Sequence, residues 1–315
     1  MKFYNLLFIA IVTIVISSCR RLDDNLYNPT KVKRYYQDAY NGEVDFKLDA
    51  DSCKISTKPP GTYTFLLYSQ DILEKEPTYI SATYIGNLRN IKYNKVILYC
   101  HGNKDHMDFY WPRVKLLANL QKLDISKSKG TGGIPDGYGV LYFDYRGYGL
   151  SKGVPSERGM YADVNAALSW LKIQGCKEDN LIMYGFSLGC APVCKIASDG
   201  GVMRPSKIIL EAPFASAEAM VQDAAGLNMP SSYYTDLKID NSEKIKNVKQ
   251  PLMWIHGTKD DFLEMETQGQ LVYNNHKGDY KEAHKIEGAG HSNIQTTWGL
   301  RAYNKAVWDF IQRKQ

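Results

Sequence analysis

Ser187 lies in Gly185-Phe186-Ser187-Leu188-Gly189, a G-x-S-x-G pentapeptide between a strand-like run, Asn180–Tyr184, and a helix-compatible run, Cys190–Ala197. A serine on so sharp a turn projects its hydroxyl clear of the backbone, and a Cβ at either flanking glycine would collide with a neighbouring strand or helix. A serine hydroxyl is a poor nucleophile at neutral pH. Attack on a carbonyl carbon therefore needs a base within hydrogen-bond reach and a carboxylate that orients the base. His291, in the glycine-rich turn Gly288-Ala289-Gly290-His291, is the candidate base. The acid lies in His256-Gly257-Thr258-Lys259-Asp260-Asp261-Phe262, where two adjacent aspartates qualify. A tetrahedral intermediate also needs donors for its oxyanion. The backbone N–H of Leu188 is one candidate, and that of Asn103, in His101-Gly102-Asn103-Lys104-Asp105, is the second. Losing one such donor typically costs about 3–4 kcal/mol in the barrier.

These residues are far apart in sequence, so a sheet must gather them. From Lys95 onward, strand and helix patterns alternate. Lys95–Cys100, Gly139–Asp144, Leu181–Tyr184, Lys207–Leu210, Leu252–Ile255 and Ala283–Ile286 read as strands. Met107–Leu123, the run after Ser156, the segment after Ser187 and the C-terminal run with Leu300, Tyr303, Val307, Phe310 and Ile311 read as helices. Such units predict an α/β fold with a mostly parallel central sheet, helices on both faces, and loops converging at one sheet edge. Glu43–Leu48, Tyr63–Tyr68 and Ile80–Ile85 alternate apolar and polar residues and read as antiparallel edge strands. Residues 215–249 are long for a connection and predict a small helical lid over the site. The other histidines have simpler readings: His101 and His256, each before a glycine at a strand end, read as structural hydrogen-bonders. No metal site is expected, since there is no H-E-x-x-H and no metal-ligand spacing. No cofactor is expected either.

The chain carries 39 Lys and Arg against 34 Asp and Glu. That mild excess, without a dense basic-aromatic stripe, argues against a nucleic-acid partner. Met1-Lys2 followed by the apolar run Leu6–Ile16 reads as an export signal too short to favour a stable membrane span. It ends in Ile16-Ser17-Ser18-Cys19, which resembles a bacterial lipobox. The resemblance implies cleavage before Cys19 and acylation there, giving a lipoprotein held at the cell envelope by its chains, each buried CH₂ contributing about 0.8 kcal/mol. An uncleaved signal anchor, or cleavage elsewhere, is the alternative. The organisation expected is a signal peptide over 1–18, a solvated tether over 19–42 and one domain over 43–315. Of the remaining cysteines, Cys100, Cys176, Cys190 and Cys194 read as buried free thiols, and an oxidising compartment leaves room for one bridge using Cys53.

With these motifs in hand, the chain from Lys95 to its end resembles the α/β-hydrolase superfamily, and within it the membrane-associated α/β-hydrolase-domain proteins, which include depalmitoylases and lysophospholipid or monoacylglycerol lipases. The segments that carry the likeness are H-G-N at His101–Asn103, F-D-Y-R-G-Y-G-L-S-K-G at Phe143–Gly153, P-S-E at Pro155–Glu157 and G-A-G-H at Gly288–His291. The resemblance implies the nucleophile-acid-base order Ser187, Asp260, His291, with Asp260 chosen because G-x-x-D matches the spacing in that fold. It also implies that Arg146 and Gly147 shape a loop without touching substrate. The elbow reads G-F-S-L-G where depalmitoylase relatives carry a polar residue before the serine, so depalmitoylation does not carry over. The implied activity is serine hydrolysis of a small acylated or lipid-like ester or thioester. A peptidase or a deacetylating carbohydrate esterase on the same fold is the competing expectation, and a non-catalytic binding protein a further one.

Overall fold

The structure, a computed structural model, describes residues 26–40, 61–120, 138–225 and 235–314. Its strands are β1 (Asn28–Pro29), β2 (Thr62–Ser69), β3 (Thr78–Ile85), β4 (Lys95–Cys100), β5 (Lys104–Asp105), β6 (Tyr138–Phe143), β7 (Leu181–Phe186), β8 (Lys207–Glu211), β9 (Leu252–Gly257) and β10 (Lys281–Ile286). Eight of them form one sheet in the order β10-β9-β8-β7-β4-β6-β3-β2. Pairing is parallel from β10 through β6, and antiparallel for β6 with β3 and for β3 with β2. The near-continuous apolar runs of β4, β6, β7, β8 and β9 fit strands covered on both faces.

Two hydrophobic layers sandwich the sheet. Along β4, Val96, Leu98 and Cys100 face one layer while Ile97 and Tyr99 face the other. The first layer is closed by the helix Glu157–Ile173, through Met160, Val164, Leu168 and Leu171, and by the elbow helix Cys190–Asp199. Ser156 caps the former, its side chain accepting from Gly159 N–H at 3.1 Å. The helices Met107–Leu117 and Leu300–Gln312 close the second layer, the latter through Tyr303, Val307, Phe310 and Ile311. Winding reverses around β4, so the loops after β4 and β7 open side by side at the carboxyl edge, the place where this class of sheet binds ligands.

Two expectations change. β3 is an interior strand, because β2 covers one of its edges and β6 the other. Residues 26–40, expected within a solvated tether, instead pack on the domain. β1 pairs in parallel with β5, Tyr36 and Gln37 donate their N–H groups to Asp108 at 2.5 and 2.8 Å, and Asp38 meets Trp111 and Lys115. Of the segment expected as a lid, 215–249, the structure describes the helices Ala217–Ala225 and Asn241–Lys244, and these described helices do not line the cleft above Ser187. The signal segment, Cys19, Cys53, the expected strand Glu43–Leu48 and residues 226–234 lie outside the described residues. Among the described residues no helix is long and apolar enough to cross a membrane. Cys100, Cys176, Cys190 and Cys194 are buried free thiols, and burial pushes Cys176 and Cys194 up to about 12.

Candidate active site

Ser187 follows the last residue of β7 and begins the turn into the elbow helix. Its φ of +52° lies in the left-handed region, which a non-glycine residue occupies only when its surroundings enforce it. The enforcement is visible at Gly189, where a Cβ would stand 1.9 Å from the Cys100 carbonyl oxygen. The turn is thus pressed against the end of β4, and only glycine permits that approach. Leu188 is the second residue of the helical turn, so its N–H has no intrahelical acceptor.

The loop after β10 carries His291 across to this serine. His291 Nε2 lies 3.0 Å from Ser187 Oγ, and Nδ1 lies 2.8 Å from Asp260 Oδ2. A carboxylate only accepts, so Nδ1 carries the hydrogen and Nε2 offers its lone pair to the serine hydroxyl. The imidazole sits between the rings of Phe186 and Phe262, at centroid distances of 5.2 and 5.1 Å. Asp260 is buried. Burial alone would raise its carboxyl, but hydrogen bonds from His256 and His291, the attraction of His291 and the N–H of Leu263 hold it well below the usual carboxylate range. It is therefore a fixed anion behind the base. Asp261 lines the cleft and stays outside this relay.

His256 takes the structural part expected of it. Its Nε2–H points to the Leu263 carbonyl at 2.9 Å and lies 3.2 Å from Asp260 Oδ2, holding the turn that presents the acid. The loop bearing His291 has its own fastening, which no local motif signals. Arg113 donates to the Ser292 carbonyl at 2.5 Å and to Glu211 at 2.8 Å, and Gln295 donates to both Glu211 oxygens at 2.9 Å. Arg113 and Glu211 are buried and lie on different strand-to-helix units, so only folding pairs them.

A cleft of about 570 Å³ opens above Ser187. Phe109, Tyr110, Phe186 and Phe262 form its apolar surfaces, while Asn28, Asn103, Lys104, Asp261 and Asn293 give it polar ones. Asn28, from the N-terminal segment, has no local signal in the sequence. Asn103 lines the cleft beside Gly102, whose missing Cβ would lie 3.0 Å from Tyr110 Oη. The structure thus brings together Ser187, Asp260, His291, Leu188 and Asn103. Cys19 is outside the described residues. Arg146 is turned away from the cleft, bonded to Asp163, Glu74 and Ser69. Among the described residues no group of three or more His, Cys, Asp or Glu side chains is placed to hold a metal ion.

Comparison with known proteins gives the same frame. A family model of the alpha/beta hydrolase fold matches residues 95–227. The mouse Alpha/beta hydrolase domain-containing protein 17C is 32% identical over 157 residues, covering 50% of this chain and 46% of that protein. The human Alpha/beta hydrolase domain-containing protein 17B is 30% identical over 159 residues, covering 50% and 51%. The chain has the α/β-hydrolase fold. The chain spans about half the length of the curated relatives it matches. Its fold is also that of the esterase Pf2001 of Pyrococcus furiosus, with a TM-score of 0.62 over 91% of this chain and 98% of the esterase, at 18% identity.

Proposed function

We propose that the protein is a serine hydrolase that cleaves a small acyl ester or thioester through an acyl-enzyme. The observation that carries this reading is the His291 imidazole bridging Ser187 Oγ at 3.0 Å and Asp260 at 2.8 Å. As Ser187 attacks the acyl carbon, His291 Nε2 takes the hydroxyl proton, and buried Asp260 stabilises the resulting imidazolium. The N–H groups of Leu188 and Asn103 receive the oxyanion. Collapse of the tetrahedral adduct transfers the Nε2 proton to the leaving alcohol or thiol. Water then attacks the acyl-enzyme by the same route, regenerating the serine and releasing the acid.

The cleft supports a short acyl group. The aromatic rings of Phe109, Tyr110, Phe186 and Phe262 share the lining of a cleft of modest size with the polar side chains of Asn28, Lys104 and Asp261. Those polar side chains favour a polar leaving group, so a deacetylating esterase is the second reading. Envelope attachment through acylated Cys19 belongs to the proposal and is supported by the sequence Ile16–Cys19.

The test uses p-nitrophenyl esters of increasing chain length together with a fluorophosphonate probe. The wild type is expected to label at Ser187 and to favour short chains, and S187A to lose labelling and at least about a thousandfold in kcat. Equal labelling of folded S187A and wild type would overturn the mechanism. A preference rising toward long chains would overturn the substrate class alone. Metabolic labelling with palmitate, lost in C19A, tests the anchor separately.

A further inference from the structure

The run Asp144–Ser151 is the most distinctive stretch of the chain, and the proposed chemistry leaves it unused. Asp144 is fully buried at the end of β6. The Tyr35 hydroxyl donates to its Oδ2 at 2.5 Å, while its Oδ1 faces His101 Nε2 at 3.6 Å. Those two facing atoms are buried and have no hydrogen-bond partner among the described residues. On the other side of the ring, His101 Nδ1 lies 2.7 Å from the Gly102 carbonyl oxygen. A carbonyl only accepts, so Nδ1 carries the hydrogen. Burial pushes this imidazole down to about 3, leaving Nε2 a bare lone pair. Burial also raises the Asp144 carboxyl well above the carboxylate range, against the hydrogen bonds from Tyr35 and the Met107 N–H.

The Gly102 carbonyl and the Asn103 N–H belong to one planar trans peptide. Pinning the carbonyl on the His101 side therefore fixes the direction in which the Asn103 N–H points. The next peptide is held from the same quarter: the Asn103 carbonyl accepts from Asn28 N–H at 2.9 Å and from the Tyr148 hydroxyl at 2.8 Å. Gly149 makes room for the arrangement, since a Cβ there would lie 2.0 Å from Asp144 Oδ2 and 2.8 Å from Tyr35 Oη. Thr30 N–H donates to the Asp105 carbonyl at 3.1 Å, and Gly149 N–H donates to the Thr30 carbonyl at 2.9 Å. The N-terminal segment thus touches both loops that flank the donor.

We propose that residues 26–40 are a strap that sets the oxyanion loop, with Tyr35, Asp144 and His101 as positioning residues acting through the Gly102–Asn103 peptide. The inference rests on the serine-hydrolase reading above. It explains why the motif around Asp144 and the docked N-terminal segment occur together, and it makes turnover depend on a segment outside the sheet.

The test compares the full chain with Y35F, D144A, D144N and S187A, using p-nitrophenyl acetate as substrate and an alkyl boronic acid, whose tetrahedral serine adduct carries an oxyanion, as inhibitor. Y35F and D144A are expected to lower kcat about 10- to 1,000-fold with KM changed less than about threefold, and to weaken the boronic acid in proportion to kcat. D144N keeps a donor and an acceptor at the same place and is expected to recover most of the loss. Folded Y35F and D144A with wild-type kcat, or with losses confined to KM, would overturn the strap's role. Should D144A fail to fold, Y35F, a change of one hydroxyl, decides alone. If wild type and S187A hydrolyse equally, the serine reading fails and takes this inference with it, an outcome distinct from an active wild type indifferent to Tyr35.

Discussion

At the scale of single residues, the site is decided by which atoms can only accept. Asp260 is an anion, so His291 Nδ1 must hold the hydrogen and Nε2 must face Ser187 as a base. Asn at 260 can place an amide donor where the acceptor stood, favouring the wrong tautomer. D260N is therefore expected to lower kcat by about 10⁴, with the fold retained. D261N removes an exposed charge at the cleft wall and is expected to cost far less. Steady-state kinetics on the pair distinguishes the two aspartates, and equal losses would refute the assignment of Asp260.

At the scale of elements, the elbow and the loop after β10 must be rigid, because the base must stay within hydrogen-bond reach of the serine. Gly189→Ala sets a methyl against a backbone carbonyl that cannot move without displacing β4. It is expected to destabilise by about 3 kcal/mol or more in urea unfolding. The Arg113–Glu211 pair is the other fastening. Glu211→Ala leaves a buried guanidinium without its counter-charge, which typically costs about 3–5 kcal/mol. Because Arg113 also holds the Ser292 carbonyl, next in chain to the base, the same variant is expected to lower kcat in the fraction that folds. An unfolding midpoint equal to the wild type would show that the pair contributes nothing net.

At the scale of the whole molecule, two apolar layers bury the sheet and carry neutral histidines with them. His276 shows the consequence far from the cleft. Burial, and then the charges of Lys281 and Lys249, hold its imidazole below the ordinary 6.5, against the hydrogen bond it makes to the Gln250 carbonyl. The native state keeps it neutral where the unfolded chain would bind a proton. Its contribution to stability is therefore complete above pH 6.5 and is lost as the pH falls toward the lower folded value. Urea unfolding at pH 7 and pH 5 is expected to show a smaller acid-induced loss in H276Q than in the wild type. An equal or larger loss would contradict that sign.

The sequence determined what is local or periodic. The apolar runs β4, β7 and β9, the helical face ending in Phe310 and Ile311, the serine elbow, and the order Ser187, Asp260, His291 are readable without coordinates, because each is set by neighbours a few residues away or by chain order. Tertiary structure alone decided the rest. It made β3 interior rather than an edge, since a partner strand can be separated by any length of chain. It placed Asn28 and Tyr35 beside the oxyanion loop, although their own segment is polar and shows no period. It joined Arg113 to Glu211, on units 98 residues apart. Hydrogen-bond partners across such distances leave no repeat in a sequence, because what brings them together is the packing of the sheet's two faces.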